Sequence, residues 1–229
     1  MRVLVVRHDE EDSPGLVGDA FAALGAAVDT CLYPSEGPLP DPGGYDHLVV
    51  LGSSASVYEN RDWIVAEVDW LRGVRLPVLG ICFGAQLLSA ALGGGVERAP
   101  AYEIGWVTVD PVVAANAPGS ETALAVAIGS GLWFQFHRDR CVLPGDAHLL
   151  ARNEIGVQAF TVGPHLGVQF HPEVDAAQLT RWIHNGGRHA IVRAGLDPDA
   201  LLEETARAEA DARIRADDLV GAHLRHVSA

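Results

Sequence analysis

The period of apolar and polar positions changes several times along the chain, and each change marks an element. Residues 2–7 are a short valine and leucine run between two arginines, which predicts a buried strand. Residues 15–24 carry apolar positions at helical spacing, and residues 28–32 return to a strand-like run. Residues 34–44 hold four prolines and three glycines and predict a loop. Residues 47–51 are largely apolar, as in a parallel strand covered on both faces. In residues 63–72, Ile64, Val68 and Leu71 lie four and three apart, one stripe of a helix. A strand over 77–81 and a helix over 85–92 follow.

From residue 96 to residue 170 short strand-like runs recur between turns, which predicts a mixed or antiparallel extension of the sheet. Asp175 has the character of an N-cap and opens another helix. The alternation of strands and helices predicts an α/β fold: a doubly wound, mostly parallel open sheet with an antiparallel extension, flavodoxin-like, with right-handed crossovers. Asp197 and Pro198 open a last helix, where Leu201, Ala208, Ala212, Ala216 and Leu219 form a modest apolar stripe and Ile214 lies off it. The stripe predicts a helix packed on its own domain; a docking helix for a partner is the alternative.

Chemistry enters at Leu79-Gly80-Ile81-Cys82-Phe83-Gly84-Ala85-Gln86, where a strand-like run ends in Gly-x-Cys-x-Gly and a helical pattern starts at once. Flanking glycines permit a sharp turn at a nucleophile, and the positive end of the following helix favours a thiolate. Read alone, Cys82 is better taken as a buried cysteine at an ordinary strand–helix junction. A second segment, Gly167-Val168-Gln169-Phe170-His171-Pro172-Glu173, changes that balance. Residues 166–170 read as a strand, His171 stands at its end, Pro172 stops the ladder, and Glu173 follows. A cysteine nucleophile needs a base, and the base needs a group to orient it. Cys82, His171 and Glu173 are the candidates for these three catalytic parts.

On these motifs the chain resembles the class I glutamine amidotransferases, of the kind found in GMP synthetase and in stand-alone relatives. The matching residues are GICFGAQLLSAALGG from residue 80, EIGW from 103 and GVQFHPE from 167, with a looser match over FQFHRDRCVLPGDA from 134. The resemblance runs from about residue 48 to residue 182, and in outline from residue 1; a domain is expected over residues 1–195, with residues 196–229 as a C-terminal helix packed on it. It implies that Cys82 attacks the side-chain amide of glutamine, ammonia leaves, and water hydrolyses a γ-glutamyl thioester. It places the oxyanion hole at the backbone N–H groups of Phe83 and Ser53, the latter in the loop Gly52-Ser53-Ser54-Ala55-Ser56. Relatives carry Gly-Gly-Pro there, and a left-handed Ser53 would be costlier than glycine. Gly52, Gln86 and His137 resemble substrate contacts; read alone, Gln86 is an exposed helix residue and His137 a structural histidine. Phe136 stands where many relatives carry serine.

Composition narrows the classes. With 229 residues, 48% hydrophobic and 20% charged, the chain suits one α/β domain. No apolar run reaches membrane-spanning length, and the N-terminal run reads as a first strand rather than a signal peptide. Cys31, Cys82 and Cys141 make no disulfide framework, so a reducing cytoplasm is expected. No metal or cofactor motif is visible. All 16 basic residues are arginine, which excludes Schiff-base and phosphate-loop lysines. A net charge of −14 argues against a nucleic-acid partner. No Ser-Gly-Gly-x-Asp-Ser segment occurs, so the ammonia acceptor is expected on a separate synthetase, with glutamine as this chain's substrate. The alternatives are a γ-glutamyl peptidase or hydrolase using the same three residues, and a non-catalytic regulatory or binding protein on the same fold. The oligomeric state is not legible.

Overall fold

Short runs rich in valine, leucine and isoleucine pair into a sheet in the computed structural model, which describes residues 1–114, 117–129 and 131–229. The strands are β1 (Arg2–Arg7), β2 (Ala27–Leu32), β3 (His47–Val50), β4 (Val78–Ile81), β5 (Gly95–Thr108), β6 (Asp110–Pro111), β7 (Leu132–Val142), β8 (His148–Arg152), β9 (Val157–Val162) and β10 (His165–Val168). The helices are α1 (Gly15–Ala23), α2 (Asp62–Gly73), α3 (Phe83–Ala91), α4 (Gly119–Ile128), α5 (Ala176–Trp182), α6 (Arg188–Arg193) and α7 (Pro198–Val227). Among the described residues the main sheet has the order β2-β1-β3-β4-β10-β9-β8-β6. The first five strands are parallel, the doubly wound order expected of a flavodoxin-like sheet, and the pairings beyond β10 are antiparallel.

Alternation along β1 divides the core. Val3 and Val5 join the layer built with Phe21 of α1, Leu124 of α4 and Leu219 of α7. Leu4 and Val6 join Ile64 of α2 and Leu87 of α3 on the other face. Helices therefore cover both sides, which is why β4 and the inner positions of β1 and β3 carry no polar residues.

The segment from 96 to 170 departs from the sequence expectation in two ways. It contains a helix, α4, whose buried Glu121, Leu124, Ala125 and Ile128 recur at three, four and seven, with alanine-rich composition favouring the helical state. Its two longest strands, β5 and β7, leave the main sheet and pair antiparallel with each other, with an irregularity between Arg98 and Glu103. After α5 the chain kinks through Ile183–Gly187, where Gly186 has a positive φ of 105°, into α6.

Asp175 and Asp197 cap α5 and α7 through side-chain bonds to the N–H groups of Gln178 and Asp199. In α7 the residues Leu201, Ala212, Ala216 and Leu219 are buried and Ile214 is exposed. Trp106 of β5 donates its indole N–H to Thr205 Oγ1 at 3.0 Å and ties α7 to the antiparallel pair. No helix among the described residues is long and apolar enough to cross a membrane.

Candidate functional site

Cys82 occupies the junction of β4 and α3 with φ 51° and ψ −106°, a backbone conformation that non-glycine residues rarely adopt. The two glycines of the motif are required by contact. A Cβ on Gly84 would lie 2.0 Å from the Val50 carbonyl oxygen, and one on Gly80 would lie 2.7 Å from the Gly84 oxygen. Glycine at both positions lets α3 start directly against β3 and β4, and the tight turn holds the sulfur at the carboxyl ends of the strands. The Cys82 N–H donates to the Val168 carbonyl of neighbouring β10 at 2.8 Å, which brings the two motifs side by side.

Beyond β10, the His171 N–H donates to the Phe134 carbonyl at 2.8 Å, and the imidazole is almost fully buried. Its Nδ1 lies 2.7 Å from Glu173 Oε1, while Nε2 and Glu173 Oε2 have no hydrogen-bond partner in the protein. Burial works against a charge on this ring, but the Glu173 carboxylate and then Cys82 outweigh it, so its pKa stands well above the ordinary histidine value. Gly52 lies against both side chains: a Cβ there would be 3.1 Å from His171 Cε1 and 3.9 Å from Cys82 Cβ. The structure thus brings Cys82, His171, Glu173 and Gly52 together.

Ser53 follows in the loop after β3. The only non-glycine residues with positive φ among those described are Asn60 and Cys82, so Ser53 carries no left-handed strain. The loop is pinned by the Ser54 N–H on Asp9 Oδ2 at 3.3 Å, and by the Ser56 and Tyr58 hydroxyls on Asp139 at 2.5 and 2.8 Å. Phe83 is the first residue of α3, where helix N–H groups lack internal partners. Gly52, Ser53, Cys82, Phe83, Gln86, His137 and His171 all line one cavity of about 750 Å³, which also reaches Asp9–Asp12, Tyr102 and the kink before α6.

Gln86 is buried rather than exposed. Its amide donates to the Asp139 carbonyl at 3.3 Å and to Gln169 Oε1 at 3.2 Å. Gln169 in turn directs its own Nε2 to Cys82 Sγ at 3.5 Å. Sequence reasoning missed Gln169, although it is the one polar residue in an otherwise apolar run. His137 is bonded at both nitrogens, Nδ1 to the Asp139 carbonyl at 3.0 Å and Nε2 to Glu103 Oε2 at 2.9 Å. Glu103 also accepts from Gln158 at 3.0 Å, so part of the EIGW segment braces the cavity wall.

The family model for glutamine amidotransferase class-I matches residues 17–189. The chain belongs to the class I glutamine amidotransferase family. It is 31% identical over 154 residues to a glutamine-hydrolyzing GMP synthase chain of Ignicoccus hospitalis that is one of that enzyme's separate subunits, covering 64% of this chain and 76% of that one. It is 35% identical over 152 residues to gamma-glutamyl peptidase 5 of Arabidopsis thaliana, covering 60% of this chain and 59% of the other. Among solved structures it resembles a glutamine amidotransferase from Thermotoga maritima, with a TM-score of 0.84 at 28% identity over 100% of this chain and 99% of that one. Against the undivided GMP synthases the chain spans only about a quarter to a third of the relative's length. The amidotransferase match covers every element that carries Cys82, His171 and Glu173.

Proposed function

We propose that this chain hydrolyses the side-chain amide of glutamine through a γ-glutamyl thioester on Cys82. The observation that carries the reading is the imidazole of His171, held at Nδ1 by Glu173 with Nε2 left open in the cavity beside Cys82. In this reading the Cys82 sulfur attacks the amide carbon, and the charge on the former carbonyl oxygen falls to the N–H groups of Ser53 and Phe83. His171 passes its Nε2 proton to the departing nitrogen, and ammonia leaves. Water then attacks the thioester as His171 Nε2 takes its proton, and glutamate and the free thiol are released. Glu173 keeps the ring in register through both steps. Gly52 makes room at the reacting centre, and Gln86 and His137 form the wall of the glutamyl pocket.

Residues 1–195 are the catalytic domain and residues 196–229 its packed helix. Relatives named as one subunit of a divided GMP synthase support an acceptor on a separate synthetase chain, to which the ammonia is handed; free cysteines without a disulfide suit a cytoplasmic location for this reaction. A second reading, hydrolysis of γ-glutamyl amides of larger amines, is favoured by the cavity, whose 750 Å³ exceed what glutamine fills. Ammonia or amine release is the test, measured on the purified chain with glutamine and with a series of γ-glutamyl amides. Glutamine preferred, with turnover abolished in Cys82→Ala, supports the first reading. A strong preference for a bulky amide replaces it with the second, and full activity in Cys82→Ala sinks both.

A further inference from the structure

Outside the three residues at the reacting centre, a buried ion pair stands on the far side of the loop after β3. His8, just beyond β1, and Glu67 of α2 are 7% and 0% exposed. His8 Nε2 lies 3.0 and 3.1 Å from the two Glu67 oxygens, and Nδ1 lies 2.8 Å from the carbonyl oxygen of Gly52. Carboxylate and carbonyl oxygens only accept, so both ring nitrogens carry protons and His8 is an imidazolium. Burial opposes that charge and the Glu67 carboxylate more than offsets it, which leaves His8 above its ordinary pKa. The ring is clamped edge-on to Phe83 at 5.1 Å and tilted against Trp63 at 5.7 Å.

The Gly52–Ser53 peptide is trans, so its C=O and N–H point in opposite directions as one rigid unit. Holding the Gly52 oxygen against His8 turns the Ser53 N–H the other way, toward the cavity that Gly52 and Ser53 line. That N–H makes no hydrogen bond to the protein among the described residues. An unheld peptide at this point could flip and remove the donor. We propose that His8, anchored by Glu67, is a positioning residue that fixes the Gly52–Ser53 peptide with its N–H in the oxyanion hole. The assignment rests on the hydrolase reading above. His8 touches no substrate; it acts through the peptide plane.

Variants paired with Glu67→Leu avoid stranding a buried carboxylate. In His8→Leu/Glu67→Leu the peptide loses its anchor. The expected result is a fall in kcat of about 10²-fold, the cost of one oxyanion donor, with KM little changed. Alkylation of Cys82 by iodoacetamide, which develops no oxyanion, should stay at the wild-type rate. In His8→Asn/Glu67→Leu, Nδ2 takes the place of Nδ1, and most of kcat should return. Full kcat in the leucine variant, no recovery with asparagine, or a parallel loss of alkylation would each overturn the proposal. A second measurement needs no variant. Nitrogen-15 NMR of the wild-type imidazoles should show His8 protonated on both nitrogens, and a bare Nδ1 would overturn it equally. A wild-type protein inert toward glutamine and γ-glutamyl amides would overturn the hydrolase reading itself, and this assignment with it.

Discussion

Asp12 gives the sharpest stability prediction. It is 9% exposed, one Oδ accepts from the Trp182 indole N–H at 2.8 Å, and its carboxyl titrates at about 6. Burial is the main cause; Asp9 and Glu173 add to it, and the Trp182 bond and His171 oppose it. In the unfolded chain the same group titrates near 3.8. Between these values the folded state holds the proton more tightly, so stability falls as pH rises from about 4 to 6 and stays low above that. At 1.36 kcal/mol per pH unit the ionised carboxylate costs the fold about 3 kcal/mol at pH 8. Asp12→Asn keeps the acceptor for Trp182 and removes the charge. Urea denaturation of both proteins should therefore show a variant more stable by about 2–3 kcal/mol at pH 8, with the difference closing near pH 4. Equal stability at both pH values would refute the idea that burial outweighs the Trp182 bond and His171 at Asp12.

Three further outcomes follow from the site. Glu173→Gln removes the charge that holds the His171 proton. Its kcat should fall by about 10²-fold or less, and the basic limb of the kcat/KM profile should move to lower pH; an unmoved limb would remove Glu173 from this role. Iodoacetamide at pH 7.5 should modify Cys82 alone, because burial raises the Cys31 thiol to about 11 and the Cys141 thiol further still; peptide mapping reads the result, and comparable labelling of either would contradict it. Gly84→Ala should abolish activity and cost about 3 kcal/mol or more, since its methyl would meet the Val50 carbonyl. Gly73→Ala, with nothing within 4 Å, should lose no stability when both variants are compared by urea denaturation.

The parallel half of the sheet was legible because each strand is a short apolar run and each helix carries one stripe. The same logic missed α4. Its alanines blur the contrast between faces, so the stripe of Glu121, Leu124, Ala125 and Ile128 shows only once burial is known. The separation of β5 and β7 from the main sheet was not legible either, since both pair over long distances that no local pattern encodes. At the site, the sequence offered Cys82, His171 and Glu173 because their chemistry is written in residue type and spacing. Gln169 was hidden inside a run read as plain strand. His8 and Glu67 lie 59 residues apart, and neither has a motif. Gln86 and His137 line the cavity, but their side chains are bonded to Gln169, Asp139 and Glu103, a bracing that the sequence pattern does not encode.

The central claim is that Cys82 carries the glutamyl group during turnover. The direct measurement is acid quenching of the protein during turnover of glutamine, followed by peptide mass mapping. The expected result is a γ-glutamyl adduct on the peptide bearing Cys82 in the wild type, absent from Cys82→Ala. Turnover by the wild type with no adduct on Cys82, undiminished in Cys82→Ala, would contradict it.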